Sequence, residues 1–125
     1  MNYDPVFDKW HEECGVFGVY DRTIDVARYV YWGLFALQHR GQESAGIAVT
    51  DGHDVELKKG MGLLTEAIKE LPSLQSHMGT GHVRYSTTGS NNPRNIQPLV
   101  IHYQGGQIAV AHNGNLTNAL AIRKR

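Results

Sequence analysis

Two short hairpins limit what this chain can become. In "SAGIAVTDGHDVELKK", Asp51-Gly52 separates two runs of strand-forming residues, 44–50 and 55–59. Asp-Gly accepts the positive φ of a tight hairpin turn, so the two runs must pair antiparallel. "LVIHY" (99–103) and "IAVAH" (108–112), joined through "QGGQ", repeat the pattern. "CGVFGVY" (14–20) and "GTGHVRYS" (79–86) are apolar runs that predict two more strands. Between them, Val26, Tyr29, Val30, Gly33, Leu34 and Leu37 fall at helical spacing, and His39 and Arg40 before Gly41 form a stop. "LLTEAIKEL" (63–71) predicts a short helix ended before Pro72, "TTGSNNPRNIQP" is loop chemistry, and a last helix starts near Leu116. The order strand, helix, hairpin, helix, strand, hairpin, helix predicts an α+β fold, with amphipathic helices covering antiparallel sheet.

Composition narrows the function classes. The net charge is zero and the pI about 7.1, which argues against nucleic acid or an anionic membrane as the main partner. No apolar run approaches the roughly 20 residues of a membrane helix. The leader "MNYDPVFDKWHEE" carries four acids and no apolar core, so it is no secretory signal. Cys14 is the one cysteine in 125 residues. It predicts a free thiol in a reducing, cytoplasmic setting. The chain stops at "NALAIRKR", a helix start of about eight residues with no C-cap, which is marginal alone. The expectation is therefore an N-terminal fragment of a longer protein.

Several motifs carry a bland reading beside a sharp one. Gly60-Met61-Gly62 mimics half a dinucleotide fingerprint, but Thr65 stands where a third glycine is needed and the preceding strand belongs to a hairpin. It reads as a tight turn. His11 and Cys14 have a ligand-like spacing, but no second pair completes a four-ligand site, so no metal is expected. Cys14 itself has two readings. A lone cysteine in an apolar strand is usually a small buried hydrophobe. The sharper reading is a nucleophile. A thiol of reference pKa about 8.5 needs a base. Cleavage between Glu13 and Cys14 would supply one, because an α-amine titrates near 7.7–8. The leader, residues 1–13, would then mask that amine. Taken alone, Arg84 is a surface arginine on a strand, Arg40 a helix-end cation and Asn113-Gly114 an ordinary turn.

Four segments in order, "ECGVFGVY", "LQHRGQESAGIAV", "GHVRYSTTG" and "AHNGNLTN", resemble the signature segments of the class II glutamine amidotransferases, a family of N-terminal-nucleophile hydrolases. The resemblance spans Cys14 to about Asn118. "LQHRGQESAGI" and the leader resemble the branch whose acceptor is phosphoribosyl pyrophosphate. Relatives such as glucosamine-6-phosphate synthase have a tyrosine variant of that segment and no leader. The resemblance implies a partial four-layer αββα sandwich with antiparallel sheets, in which residues 14–125 are an incomplete N-terminal part of the glutaminase domain. It implies Cys14 as nucleophile and Asn113 and Gly114 as the oxyanion hole. It implies Arg84 on the glutamine α-carboxylate, Thr87 as a further substrate contact and Arg40 as a supporting residue. It implies glutamine and phosphoribosyl pyrophosphate as substrates and a homo-oligomer when full length. No cofactor is implied for this segment. Mg2+ would belong to a phosphoribosyltransferase domain, and a 4Fe-4S cluster, found in members with a leader, would take cysteines further along. The aspartate that holds the glutamine ammonium lies beyond "HNGNL" in the family and has no candidate in this sequence. Another class II amidotransferase with a different acceptor, an inactive remnant and a regulatory glutamine-binding module stay open as alternatives.

Overall fold

A computed structural model of the chain describes residues 14–38, 42–85, 93–113 and 118–124. Among the described residues, the strands and α-helices follow in the order β1 (Cys14–Tyr20), α1 (Val26–Leu37), β2 (Gln42–Thr50), β3 (Val55–Met61), α2 (Leu64–Ala67), β4 (Met78–Tyr85), β5 (Leu99–Tyr103), β6 (Gly106–Val110) and α3 (Ala119–Arg123). All described strand pairs are antiparallel, as the two hairpins require. The strands form a four-stranded sheet ordered β1-β4-β2-β3 and a two-stranded sheet, β5-β6.

Helix α1 covers one face of the larger sheet. Its start is fixed by Asp25, whose carboxylate accepts the backbone N–H of Arg28 at 3.3 Å, a standard N-cap. Its buried side is Val26, Ala27, Val30 and Leu34, which meets Ala45, Ile47, Val49 and Val83. Gly81 in β4 makes the close approach possible. A Cβ there would lie 2.6 Å from the Leu34 Cδ1 and 2.7 Å from the Val30 Cγ1. Tyr29 departs from the predicted stripe. It is exposed and packs its ring on Trp32, with centroids 5.3 Å apart, while Ala27 takes the buried place. Tyrosine can sit on a rim because its hydroxyl gains from water.

The second helix is shorter than predicted. It stops at Ala67, and Ile68 leaves helical geometry at φ −118°, ψ 87°. No side chain caps its start. A single uncapped turn has little stability of its own, so packing sets the boundary. Ala67 lies against Gly60, and both Leu64 and Ile68 are buried. Strand β6 begins at Gly106 and ends at Val110, so Ala111 and His112 lie past it rather than within it. The predicted start of the last helix, near Leu116, and the leader, residues 1–13, lie outside the described residues. Among the described residues no helix is long and apolar enough to cross a membrane.

Because side chains alternate along a strand, Gly79, Gly81 and Val83 face α1 while Thr80, His82 and Arg84 face the opposite side. The β5-β6 pair crosses that opposite face. A Cβ on Gly46 would lie 2.2 Å from the Gln97 carbonyl oxygen, and Gln107 accepts the Val55 N–H through its side chain at 3.2 Å. The far side of β5-β6 is apolar and open: Leu99, Ile101, Tyr103, Ile108 and Val110 are all exposed. The core depends on the α1 contact. Leu34→Ala should lower the unfolding free energy by roughly 2–5 kcal/mol, the cost of a cavity at a fully buried leucine, seen as a lower urea midpoint with an unchanged slope.

Candidate functional site

Sheet register brings the first residues together. In β1 and β4, Cys14 pairs with Arg84. In β4 and β2, Arg84 pairs with Ser44. The three side chains therefore form one row on the face that β5-β6 crosses. Directly opposed residues on antiparallel strands hold their Cβ atoms about 4.5–5.5 Å apart. Cys14 is half-buried and unbridged. It is the first described residue of its strand, and its nitrogen belongs to the peptide bond with Glu13 in this sequence.

Asn113 reaches the same corner from the other sheet. It stands three residues past the end of β6, and its side-chain Nδ2 donates to the Cys14 carbonyl at 2.9 Å. An asparagine amide carries two N–H donors, so this bond uses one of them. The preceding residue is anchored as well: the His112 N–H donates to the Gln97 Oε1 at 2.7 Å. Cys14, Arg84 and Asn113 are thus brought together. Arg40, Thr87 and Gly114 lie outside the described residues.

One row in from Arg84, His82 is only 1% exposed and lies between Val16 of β1 and Gly46 of β2. Neither ring nitrogen meets a partner in good hydrogen-bond geometry. Burial pushes its pKa down to about 4. The nearby main chain of His112 opposes this, and the charges of His112 and Arg84 add to the fall. At neutral pH the corner therefore holds an uncharged imidazole beside a guanidinium. Among the described residues no cluster of three or more His, Cys, Asp or Glu could hold a metal. An apolar cleft of about 410 Å³ between the sheets is lined by Gly18, Ala48, Thr80 and Ala109. It lies toward the opposite ends of the strands from Cys14 and contains none of the site side chains.

Sequence reasoning misses His82, Ser44 and Gln97. Gln97 stands in a stretch whose composition reads only as loop. The available signal is Gly46: a glycine inside a strand marks close approach of another backbone, and the segment bearing Gln97 is what approaches.

The profile of the family described as "Glutamine amidotransferases class-II" matches residues 38–124, well over half of the chain. This chain belongs to the class II glutamine amidotransferases. More particularly, it is 50% identical over 119 residues to the amidophosphoribosyltransferase of Synechococcus elongatus, covering 94% of this chain and 24% of that protein. It is 49% identical over 114 residues to the amidophosphoribosyltransferase of Methanocaldococcus jannaschii, covering 89% and 24%. The solved structure of glutamine phosphoribosylpyrophosphate amidotransferase from B. subtilis, complexed with ADP and GMP, superposes with a TM-score of 0.76 at 42% identity, over 87% of this chain and 24% of that one. The chain spans about a quarter of the length of these relatives.

The site makes stability depend on pH through His82. An unfolded histidine titrates near 6.5, the folded one near 4. Between those values the unfolded chain takes up the proton and the folded one does not, so stability falls as pH drops from 6.5 to about 4. Above 6.5 this contribution is fully present, and it is worth up to about 3 kcal/mol. Asp21, Asp51 and Glu56 are held below their usual range, chiefly by the N–H groups of Thr23, Asp54 and Leu74 respectively, and so lose charge lower down. Urea midpoints at pH 7 and pH 4.5 should differ strongly in the natural sequence and much less in His82→Leu.

Proposed function

We propose that residues 14–125 are the N-terminal part of a glutaminase whose ammonia passes to phosphoribosyl pyrophosphate. The product would be 5-phosphoribosylamine, in the first step of purine biosynthesis. The observation that carries this reading is the convergence at one corner of a lone thiol, a guanidinium one strand away and an asparagine amide bonded to the cysteine's own carbonyl. The names of the relatives support the acceptor.

In this mechanism the Glu13–Cys14 bond is cut and Cys14 gains a free α-amine. That amine takes the thiol proton, and Sγ attacks the side-chain amide carbon of glutamine. The Asn113 side chain and the Gly114 N–H donate to the tetrahedral oxyanion, neutral donors aimed where charge develops. The carbon–nitrogen bond breaks, and ammonia leaves with the proton from the amine. Water then hydrolyses the thioester, releasing glutamate and restoring the thiol. Arg84 would hold the α-carboxylate, since a guanidinium fork binds a carboxylate through two parallel bonds. Thr87 would add a substrate contact and Arg40 would support the site.

The exposed apolar face of β5-β6 supports an outer helical layer, giving the four layers αββα. That layer, the ammonium-binding aspartate and the phosphoribosyltransferase part would come from chain beyond this segment, so activity is assigned to the full-length, cytoplasmic and homo-oligomeric protein. Mg2+ and any 4Fe-4S cluster are assigned to that other part and to no residue of this segment.

Full-length protein with its leader removed should incorporate one 6-diazo-5-oxo-norleucine per chain, at Cys14, as read by peptide mass. Cys14→Ala should abolish glutaminase activity. Asn113→Ala should lower kcat by about 10²–10³, as for loss of one oxyanion donor. Glutaminase activity that survives Cys14→Ala would refute the assignment.

A further inference from the structure

The residue ahead of Asn113 is gripped by a side chain that the glutaminase mechanism leaves without a role. We propose that Gln97 is the positioning residue of the oxyanion arm: it fixes the His112-Asn113 segment against the cysteine-bearing sheet. The inference deepens the glutaminase reading and rests on it.

The geometry forms a closed circuit. Lys59 of β3 donates from Nζ to the Ile96 carbonyl at 3.3 Å. Ile96 and Pro98 are buried on either side of Gln97. The Gln97 carbonyl sits where a side chain on Gly46 would stand, 2.2 Å from the ideal Cβ position. The backbone at Gln97 is therefore seated on β2, one row from the Arg84–Ser44 pair. From that seat the side chain extends to the second sheet and accepts the His112 N–H at 2.7 Å. Asn113, the next residue, completes the circuit by donating to the Cys14 carbonyl at 2.9 Å. The circuit runs Cys14, β4, β2, Gln97, His112, Asn113 and back to Cys14.

The bond is needed because β6 ends at Val110. Past that point, among the described residues, no strand ladder holds the main chain of His112. A donor for an oxyanion is useful only if its place is fixed before charge develops. Gln97 supplies that constraint without touching substrate, so its loss should show in the chemical step more than in glutamine binding.

The test uses the full-length, leader-free enzyme and steady-state glutaminase kinetics. Gln97→Leu keeps the bulk and removes the acceptor. Gln97→Glu keeps an acceptor and serves as the rescue. Gln97→Met is measured beside them, and acceptor loss is judged on whichever of the Leu and Met variants folds. The expected result is a kcat lower by about 10- to 100-fold in the acceptor-free variant, with KM for glutamine within about twofold of the natural enzyme and most of the rate restored in Gln97→Glu.

An unchanged kcat, an equal fall in Glu and Leu variants, or a loss carried by KM would overturn the proposal. So would failure of both Leu and Met variants to fold, since the bond would then serve stability alone. Cys14→Ala separates the two levels. Activity that depends on Cys14 but ignores Gln97 sinks only the positioning role. Activity that survives Cys14→Ala sinks the glutaminase reading and this inference with it.

Discussion

The arrangement depends on the register of one strand. β4 lies between β1 and β2 and pairs with both over almost its whole length. Strand pairing has a period of two, so a slip of one residue would turn every side chain to the wrong face. The packing under α1 forbids the slip. Gly79, Gly81 and Val83 must face α1, because only small or well-shaped groups fit under Val30 and Leu34. His82 and Arg84 then have no choice but the other face. The packing of an apolar helix thus determines where a guanidinium stands beside a thiol.

The second sheet contributes through contacts rather than through a shared ladder. Its strands carry an apolar outer side and a mixed inner side, and the Gln97-Pro98 segment leading into them sits on Gly46. The hairpin would place Asn113 only loosely if its end were unsupported. Two hydrogen bonds, from His112 to Gln97 and from Asn113 to Cys14, turn that loose end into a defined one. The neutral state of His82 fits the same corner, since a second cation beside Arg84 would oppose burial of both.

Much of this is legible in the residue pattern. Asp51-Gly52 specifies one hairpin, and the Val26–Leu37 periodicity specifies α1, which ends at Leu37 with Gln38 as its cap, while the stop expected at His39 and Arg40 before Gly41 lies outside the described residues. Both are local signals in which turn chemistry and spacing act within a few positions. The misses have a different origin. The helix predicted over 63–71 shrinks to four residues because contact between Ala67 and Gly60 outweighs propensity. Tyr29 leaves the buried stripe because periodicity does not say how wide the covered face is. Of the site, Cys14, Arg84 and Asn113 are found through family motifs, since nothing in their spacing announces that three distant segments meet. Gln97 carries no motif of its own, and its role exists only once Gly46 has brought its backbone down.

The bond between Asn113 and Cys14 joins residues 99 positions apart in the sequence. Contacts of such separation form late, because the chain between must first surrender its freedom. β1 leaves the ribosome before its partner β4 exists, as an apolar strand with both edges unpaired. The site therefore closes only after nearly all of this segment has been synthesised and its first strand has waited for its neighbour. An unfinished chain holds its thiol without the asparagine that would complete the corner. The long span between the two residues acts as a timer, tying assembly of this corner to completion of the fold around it.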